Sequence, residues 1–411
     1  QGSVVAQALT LASSIPVARI LGGARYGELG IVQSTLATFA LFAGPSLVVA
    51  ATKHIAQLRT VDRERAGRII GMTSLAGVVA SALVSGVLWV AAPYVASNFL
   101  NAPNLTTVLR FACLALFTTS LVGVQNGILT GFEAFQGMAR VNTIKGILTF
   151  PVLTLGAWLW RVEGVVVGIL IVSVTTMYMN HQLVRAETAT TEVFARYDNL
   201  RSEWRILVAF SLPTLLGSIM VLSATWVGSA LLVNRADGYT EMGVFNAANQ
   251  WRSAILFFPS ILARPVLPML SESLERNLTE YKTLLKLNVV LAAASSFSCA
   301  MIVIALSPWI MSAYGADFMS RWPVLVLLAV SSVIAATTAV IGTSIWSMGK
   351  MWHSFALNGV WALILVLTFV LTPARGALGL SIAYFVSYLC LGLLTALYVY
   401  VPLRRARATR S

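Results

Sequence analysis

The chain has 411 residues, of which 58% are hydrophobic and only 10% are charged, and its mean hydropathy is +0.81. A soluble domain carries about 25% charged residues, so this composition excludes a water-soluble globular protein. The net charge of +13 does not indicate nucleic acid as a partner, because Lys and Arg gather in the cytoplasmic loops of membrane proteins.

Twelve apolar segments, spread along the whole chain, are each close to the ~20 residues that a helix needs to cross a bilayer. Uninterrupted apolar runs such as 324–336 lack the alternating pattern of barrel strands. We therefore predict an all-α integral membrane protein with twelve transmembrane helices. The predicted spans are 2–21, 29–51, 69–91, 106–130, 143–160, 165–184, 206–232, 244–268, 287–312, 323–346, 355–372 and 378–402.

A repeated motif relates the first six spans to the last six. The pattern Y-x-E-[LM]-G-[IV]-x-[QN] occurs at Tyr26–Gln33 and again at Tyr239–Asn246, 213 residues later. A second match, at an offset of 215 residues, pairs Ala92–Ser97 with Ser307–Ser312. Because six is an even number, both copies begin on the same side of the membrane. The sequence thus predicts two six-helix lobes related as parallel repeats, a design that is common in transporters.

A polar stretch at Arg185–Arg205 interrupts the apolar pattern between spans 6 and 7. It predicts a cytoplasmic linker, partly helical, between an N-terminal lobe at 1–184 and a C-terminal lobe at 206–411 that ends in a short basic tail. The chain opens at Gln1 without a Met, so we expect the native N-terminus to lie outside this numbering.

The basic residues predict the orientation in the membrane. Of the 28 Lys and Arg residues, 19 lie at the even-numbered loops or in the C-terminal tail, and eight lie on the opposite side. The positive-inside rule therefore predicts that both termini are cytoplasmic.

Arginine, rather than acid, is the ionisable residue placed near the membrane interior. All 15 Asp and Glu residues fall in predicted loops or at span ends, whereas Arg252 and Arg264 lie within span 8. Arg19 ends span 1 and Arg110 begins span 4. A guanidinium keeps its charge and grips phosphate with two N–H groups, so these residues favour an anionic substrate. For Arg19 and Arg110, snorkelling to the outer interface is the alternative.

Span 8 carries a polar stripe on one helical face. Its residues are spaced alternately four and three apart, at Asn246, Gln250, Ser253, Phe257, Ser260 and Arg264. Such a stripe faces either a water-filled cavity or a neighbouring helix. Arg264 is the first choice for a ligand-binding residue because it lies on this stripe. Span 7 has a similar stripe that includes Thr214 and Ser218, for which helix packing is the alternative.

The segment Ala18–Gly27 at the end of span 1 reads A-R-I-L-G-G-A-R-Y-G. It resembles the a-R-x-L-G-x-x-x-Y-G opening of polysaccharide and O-antigen flippases in the multidrug/oligosaccharidyl-lipid/polysaccharide exporter superfamily, with Arg19, Tyr26 and Gly27 at the motif positions. The resemblance implies a MATE-like, V-shaped transporter that works by alternating access. It also implies the cargo, an oligosaccharide on polyprenyl pyrophosphate that moves from the cytoplasmic to the outer leaflet.

The sequence and this resemblance together predict a flippase for surface polysaccharide assembly in the bacterial inner membrane, and not an enzyme. We expect arginines to hold the pyrophosphate and polar side chains to line a cleft bounded by spans 1, 2, 7 and 8. The candidate arginines are Arg264, Arg19, Arg25, Arg252 and Arg110, and the candidate lining residues are Gln33, Asn246, Asn249, Gln250, Ser253, Ser218 and Thr214. A multidrug/cation antiporter of the same superfamily and a non-transporting membrane scaffold are the alternatives.

The expected partners are the lipid-linked oligosaccharide, membrane lipids and, as a candidate, a polysaccharide polymerase. No cofactor, metal or nucleic acid is expected, and coupling to H⁺ or Na⁺ stays open, including through Glu28 or Glu241. No phosphate-binding loop of the form G-x-x-x-x-G-K-[ST] occurs in the 411 residues, so a fused ATPase is excluded.

Overall fold

The computed structural model describes residues 2–198, 219–262, 278–348, 350–372 and 376–408, together with 266, 269, 270 and 273. Within these ranges the secondary structure is helical and contains no β-strand, which confirms the predicted all-α class. The helices are α1 (Gly2–Ala43), α2 (Pro45–Leu58), α3 (Arg63–Tyr94), α4 (Leu105–Gly131), α5 (Phe135–Thr191), α6 (Ile219–Val233), α7 (Gly238–Leu262), α8 (Leu278–Tyr314), α9 (Ala316–Met319), α10 (Trp322–Ser347), α11 (Met351–Leu371) and α12 (Gly376–Ala408).

Eight of the described helices are long and apolar enough to cross a membrane. Two of these, α1 and α5, contain a break at which the backbone leaves helical geometry. The breaks lie at Gly22 and at Trp160–Arg161, next to the predicted ends of spans 1 and 5. Residues 22–28 and 161–164, which separate the predicted spans, are therefore mostly helical, and the backbone leaves helical geometry at only one or two residues. The count of twelve spans stays a prediction.

The predicted second span, 29–51, is wrong as one continuous helix. Helix α1 ends at Ala43, and α2 begins at Pro45. Proline lacks the N–H that would continue the preceding helix, but it fits the first turn of a new one. Hydropathy does not register this break, because the residues on both sides of it are apolar.

Several helices begin before the spans predicted within them. Helices α3 and α8 begin at Arg63 and Leu278, several residues before the predicted starts at 69 and 287. The first turn of α3 is charged, and the Asp62 side chain caps it by accepting from the Arg65 amide at 2.9 Å. Capping of this kind stabilises a polar first turn that lies outside the apolar run.

Backbone contacts divide the chain into two compact units. Unit 1 comprises residues 1–21 and 28–222, and unit 2 comprises residues 22–27 and 223–411. The short segment 22–27 of α1 therefore groups with the second half of the chain.

In unit 1, α5 folds back on itself at Trp160–Arg161. Arg161 has a φ of 55°, and the two arms of the helix meet at Gly156 and Gly164. A Cβ on Gly156 would lie 2.3 Å from the Gly164 carbonyl oxygen, so glycine is required for this close approach.

A short non-helical segment after α5 is bound to α3 in unit 1, and we call residues 192–196 the strap. The Arg196 amide donates to the Gly67 carbonyl at 2.9 Å, and the Arg196 guanidinium lies 3.0 Å from a Glu64 carboxylate oxygen. Val193 is fully buried in the apolar core formed by α2, α3 and α4. The predicted linker at 185–205 thus begins as the last turns of α5 and continues as the strap, and its residues 199–205 lie outside the described ranges.

In unit 2, the segment 22–27 packs backbone to backbone against α7. A Cβ on Gly27 would lie 1.8 Å from the Tyr239 carbonyl oxygen, and a Cβ on Gly243 would lie 2.2 Å from the Gly23 carbonyl oxygen. Helix α7 also packs against α8, α10 and α12, and this packing positions the candidate site.

Candidate functional site

The polar side chains predicted on span 8 lie on α7, but their surroundings differ along the helix. Asn246 is buried, Asn249, Gln250 and Arg252 are partly buried, and Ser253 is exposed. The site therefore has to be built from the buried part of α7 within unit 2.

Arg252 is the centre of a polar cluster in unit 2. Its Nη2 atom donates to the Tyr388 hydroxyl of α12 at 2.8 Å, and its Nη1 atom donates to Asn249 Oδ1, one turn earlier on α7, at 3.3 Å. Both acceptors are uncharged groups, so neither bond supplies a counter-charge to the guanidinium.

Aromatic rings enclose the same guanidinium. Its central carbon lies 5.2 Å from the Tyr384 ring centre and 5.3 Å from that of Tyr388, within the range of cation–π attraction. Trp361 of α11 is buried and packs on both tyrosines, with its ring centre 5.2 Å from that of Tyr388. The cluster thus joins α7, α11 and α12.

Three buried N–H donors in this part of unit 2 have no acceptor among the described residues. They are Arg252 Nε, Asn246 Nδ2 and the Trp361 indole nitrogen. An unsatisfied buried donor costs about 1–3 kcal/mol, and each of the three would be stabilised by an acceptor atom. The donors of Arg252 and Asn246 are therefore candidates for hydrogen bonds to a ligand or to water.

The other candidate arginines have different environments. Arg19 and Arg25 are exposed, the first in unit 1 and the second in unit 2. Arg110 is also exposed, and its guanidinium lies 5.8 Å from the Trp89 ring centre. An exposed arginine beside an indole fits the snorkelling alternative for Arg110. Gln33 is partly buried in unit 1.

Three of the predicted site residues lie outside the described ranges, namely Arg264, Thr214 and Ser218. Their contacts stay a prediction.

The motif at the end of span 1 has a structural role. Gly22 has a φ of 77°, and the next residue, Gly23, donates its amide to Asp317 Oδ2 at 2.8 Å. Tyr26 is buried against the rings of Tyr314 and Phe318, with ring centres 6.3 and 6.1 Å away. These contacts fix the segment 22–27 within unit 2.

The second copy of the repeated motif contains a buried acid that is already paired. Glu241 Oε1 lies 2.6 Å from Arg321 Nη1, and Glu241 Oε2 accepts from the Ala377 amide at 2.7 Å. Glu241 therefore neutralises a cation and caps the first turn of α12.

Sequence reasoning found Arg252, Asn246 and Asn249 from their charge and polarity, but it missed the aromatic part of the cluster. Tyr384 and Tyr388 are four residues apart and share a face of α12. Their spacing was the available signal, yet aromatic residues in an apolar helix usually indicate packing.

Comparison with known protein families identifies the chain. Residues 2–274 match the family described as "Polysaccharide biosynthesis protein". The chain is 22% identical to the EPS I polysaccharide export inner membrane protein EpsE of Ralstonia nicotianae, over 89% of this chain and 84% of that protein. It is 21% identical to the protein of the same name from Ralstonia solanacearum, over 95% of this chain and 89% of that protein.

Solved structures share the fold. An inward-facing multidrug resistance MATE family transporter of the MOP superfamily matches with a TM-score of 0.79 at 17% identity, covering 98% of this chain and 96% of that one. The lipid II flippase MurJ in an inward closed conformation matches with a TM-score of 0.75 at 13% identity, covering 97% of this chain and 86% of that one. The predicted MATE-like fold is confirmed.

The family match extends over more than half of the chain and includes α7 with Arg252, while both solved structures align over nearly its whole length. The chain is therefore a member of the polysaccharide biosynthesis protein family, built on a MATE-like transporter fold.

Proposed function

We propose that this protein is a flippase that moves an oligosaccharide linked to polyprenyl pyrophosphate from the cytoplasmic to the outer leaflet of a bacterial inner membrane. Family membership, the export role named for both Ralstonia relatives and the fold shared with a lipid II flippase support this proposal. The activity is transport, and no covalent chemistry is assigned to the chain. The glycan assembly pathway supplies the cargo, and a polysaccharide polymerase is a candidate partner.

The observation that carries the proposal is the charge state of the Arg252 cluster. Arg252 is bonded to Tyr388 and Asn249, and no carboxylate pairs with it among the described residues. Arg252 is partly buried, and removing a charge from water without a counter-ion is unfavourable. A pyrophosphate group would supply the counter-charge and the acceptors for the unsatisfied donors.

The proposed transport path extends beyond this cluster. We assign the halves predicted from the sequence, 1–184 and 206–411, to two lobes that alternate in access, with Arg264, Arg19 and Arg25 contributing further positive charge. Both termini are proposed to be cytoplasmic. The lipid tail of the cargo stays in the bilayer while the polar head crosses.

The geometry favours this function over a drug/cation antiporter. An antiporter for cations uses a carboxylate within its helices that is available to bind the cation. Glu241 is buried, but Arg321 and the Ala377 amide already occupy its two oxygens. Of the two charged residues of α7, Glu241 is paired with Arg321, whereas Arg252 has no carboxylate partner among the described residues.

Replacing Arg252 or Arg264 tests the proposal. Each arginine that is replaced should remove a charge-assisted contact worth about 1.5–3 kcal/mol. This loss corresponds to a roughly tenfold to hundredfold lower affinity for the cargo. We expect Arg252→Ala and Arg264→Ala to reduce surface polysaccharide per cell strongly at matched protein levels. Lysine at either position should restore only part of the export, because the bidentate fork is lost.

Arg140→Ala is the control, since it removes an exposed guanidinium from the first turns of α5. It should leave export unchanged. Normal export by both Arg252→Ala and Arg264→Ala would show that the cationic site is wrongly assigned.

A further inference from the structure

Tyr388 holds Arg252 through two independent features. Its hydroxyl accepts from Arg252 Nη2 at 2.8 Å, and the guanidinium also lies near its ring face. The tyrosine is itself packed between Trp361 and Tyr384, with ring centres 5.2 and 6.3 Å away. A tyrosine side chain has two torsion angles, so this packing fixes the position of the hydroxyl oxygen.

The bonds to Arg252 leave one edge of the guanidinium unused. An arginine has five N–H donors in a rigid, planar fork. Tyr388 and Asn249 each take one terminal nitrogen, while Nε is buried and has no acceptor in the described part of the chain. The orientation set by Tyr388 therefore determines where the Nε edge points.

A phenol suits this task because it is neutral at physiological pH. A carboxylate in the same place would orient the arginine equally well, but it would neutralise the charge. Glu241 does this to Arg321 in the same unit, where their oxygen and nitrogen atoms lie 2.6 Å apart. A neutral acceptor orients the cation and leaves its charge available to a ligand.

We propose that Tyr388 is the positioning residue for Arg252, acting on the anionic part of the cargo only through that guanidinium. The inference rests on the proposed function, because it assumes that Arg252 meets the cargo. It assigns to α12 a role in ligand binding that charge and polarity alone do not reveal.

A double-mutant cycle on the full-length protein tests this assignment. The probe is inorganic pyrophosphate, and its apparent Kd is measured in detergent by the quenching of intrinsic tryptophan fluorescence. Tyr388→Phe keeps the ring and removes the hydroxyl, so the guanidinium loses one of its two acceptors. Because the effect on the ligand is indirect, we expect binding about twofold to tenfold weaker. Arg252→Ala should weaken binding tenfold or more.

The decisive comparison is Tyr388→Phe in the Arg252→Ala background. If the tyrosine acts through the arginine, the double variant should bind no more weakly than Arg252→Ala alone. A general packing defect would instead weaken binding by the same factor in both backgrounds, which would overturn the inference. An unchanged Kd for Tyr388→Phe in the otherwise native protein would also overturn it. Tyr178→Phe, at an exposed tyrosine of α5, is the control and should bind pyrophosphate normally.

Failure of the proposed function gives a different result. If the native protein does not bind inorganic pyrophosphate and Arg252→Ala exports polysaccharide normally, the anionic site is wrong and the role proposed for Tyr388 fails with it. If Arg252→Ala lowers export although free pyrophosphate does not bind, the same four variants are compared by surface polysaccharide per cell. If Tyr388→Phe lowers export in the native background but not in the Arg252→Ala background, the positioning role is supported. If it lowers export by the same factor in both backgrounds, the positioning role is contradicted.

Discussion

At the scale of single residues, Glu241 shows how one side chain joins three elements of unit 2. Its carboxylate extends from α7 to Arg321, just before α10, and to the Ala377 amide in the first turn of α12. Gly376 precedes that amide with a φ of 80°, and a Cβ there would lie 2.4 Å from Glu241 Oε2. The glycine is required both by its backbone conformation and by the position of the carboxylate.

Gly376→Ala should therefore destabilise the protein. An L-residue forced into this conformation costs about 1–3 kcal/mol, and the displaced carboxylate adds to the loss. We expect a lower melting temperature in detergent, measured by tryptophan fluorescence. Gly342→Ala is the matched control, because Gly342 lies within α10 of the same unit and a Cβ there would meet nothing within 4 Å. Equal melting temperatures for the two variants would contradict this account.

Charge made part of the candidate site predictable from sequence. Arg252 stands out because an arginine is rare in a membrane helix, and Asn246 and Asn249 follow from the same polar helix. Tyr388 and Trp361 do not stand out, since a sequence does not show whether an aromatic ring packs against lipid, protein or a cation. Their role depends on the juxtaposition of α11 and α12 with α7, which no local pattern encodes.

At the scale of elements, apolar length predicted where helices occur but not where they break. The junction between α1 and α2 depends on Gly44 and Pro45, within a run that is apolar on both sides. The junction within α5 depends on the φ of Arg161, a residue type with no special preference for a left-handed conformation. Hydropathy averages over about 20 residues, so breaks of one or two residues are lost.

The strap makes a testable contact between elements. A Cβ on Gly71 of α3 would lie 2.0 Å from the Arg196 carbonyl oxygen, so Gly71→Ala should displace the strap or α3. Overpacking of this kind costs about 1–3 kcal/mol, and we expect a lower melting temperature and faster proteolysis after α5. Gly86→Ala on the same helix is the control, since a Cβ there meets nothing within 4 Å and alanine favours a helix. If Gly71→Ala is as stable as Gly86→Ala, the contact between Gly71 and the Arg196 carbonyl contributes nothing to stability.

At the scale of the whole molecule, composition and the motif of span 1 were sufficient to predict an all-α membrane protein of this transporter fold. Composition works because lipid as solvent leaves few alternatives to helices. The sequence did not predict that part of α1 groups with the second half of the chain. The segment 22–27 groups with unit 2 through contacts to Asp317, Tyr239 and Tyr314, all more than 200 residues away.

Orientation in the membrane is the prediction at this scale. In a variant without Cys113, Cys299 and Cys390, we expect single cysteines at Thr60 and Thr409 to react with an impermeant maleimide only after the cells are permeabilised. Both positions lie in segments predicted to be cytoplasmic, Lys53–Arg68 and Arg404–Arg410. Asn101→Cys, in the opposite loop, should react in intact cells. Labelling of Thr60→Cys or Thr409→Cys in intact cells would show that the predicted orientation is wrong.

The sharp turn within α5 has a counterpart in the second half of the chain. Arg161 and Gly376, 215 positions apart, both have positive φ values, 55° and 80°, and each precedes a long helical segment. At Arg161 the side chain is used, because its Nη1 atom donates to the Ile20 carbonyl at 3.0 Å. At Gly376 a side chain is excluded by Glu241.

The two turns thus have opposite requirements for the side chain at the left-handed position. Replacing Gly376 by arginine would place a side chain where Glu241 leaves no room for a Cβ. Replacing Arg161 by glycine would remove the hydrogen bond to the Ile20 carbonyl. The halves are no longer interchangeable, so a chain built from two identical copies of either half would lose one of these two junctions. The two positions share a left-handed backbone and differ in whether a side chain is used or excluded.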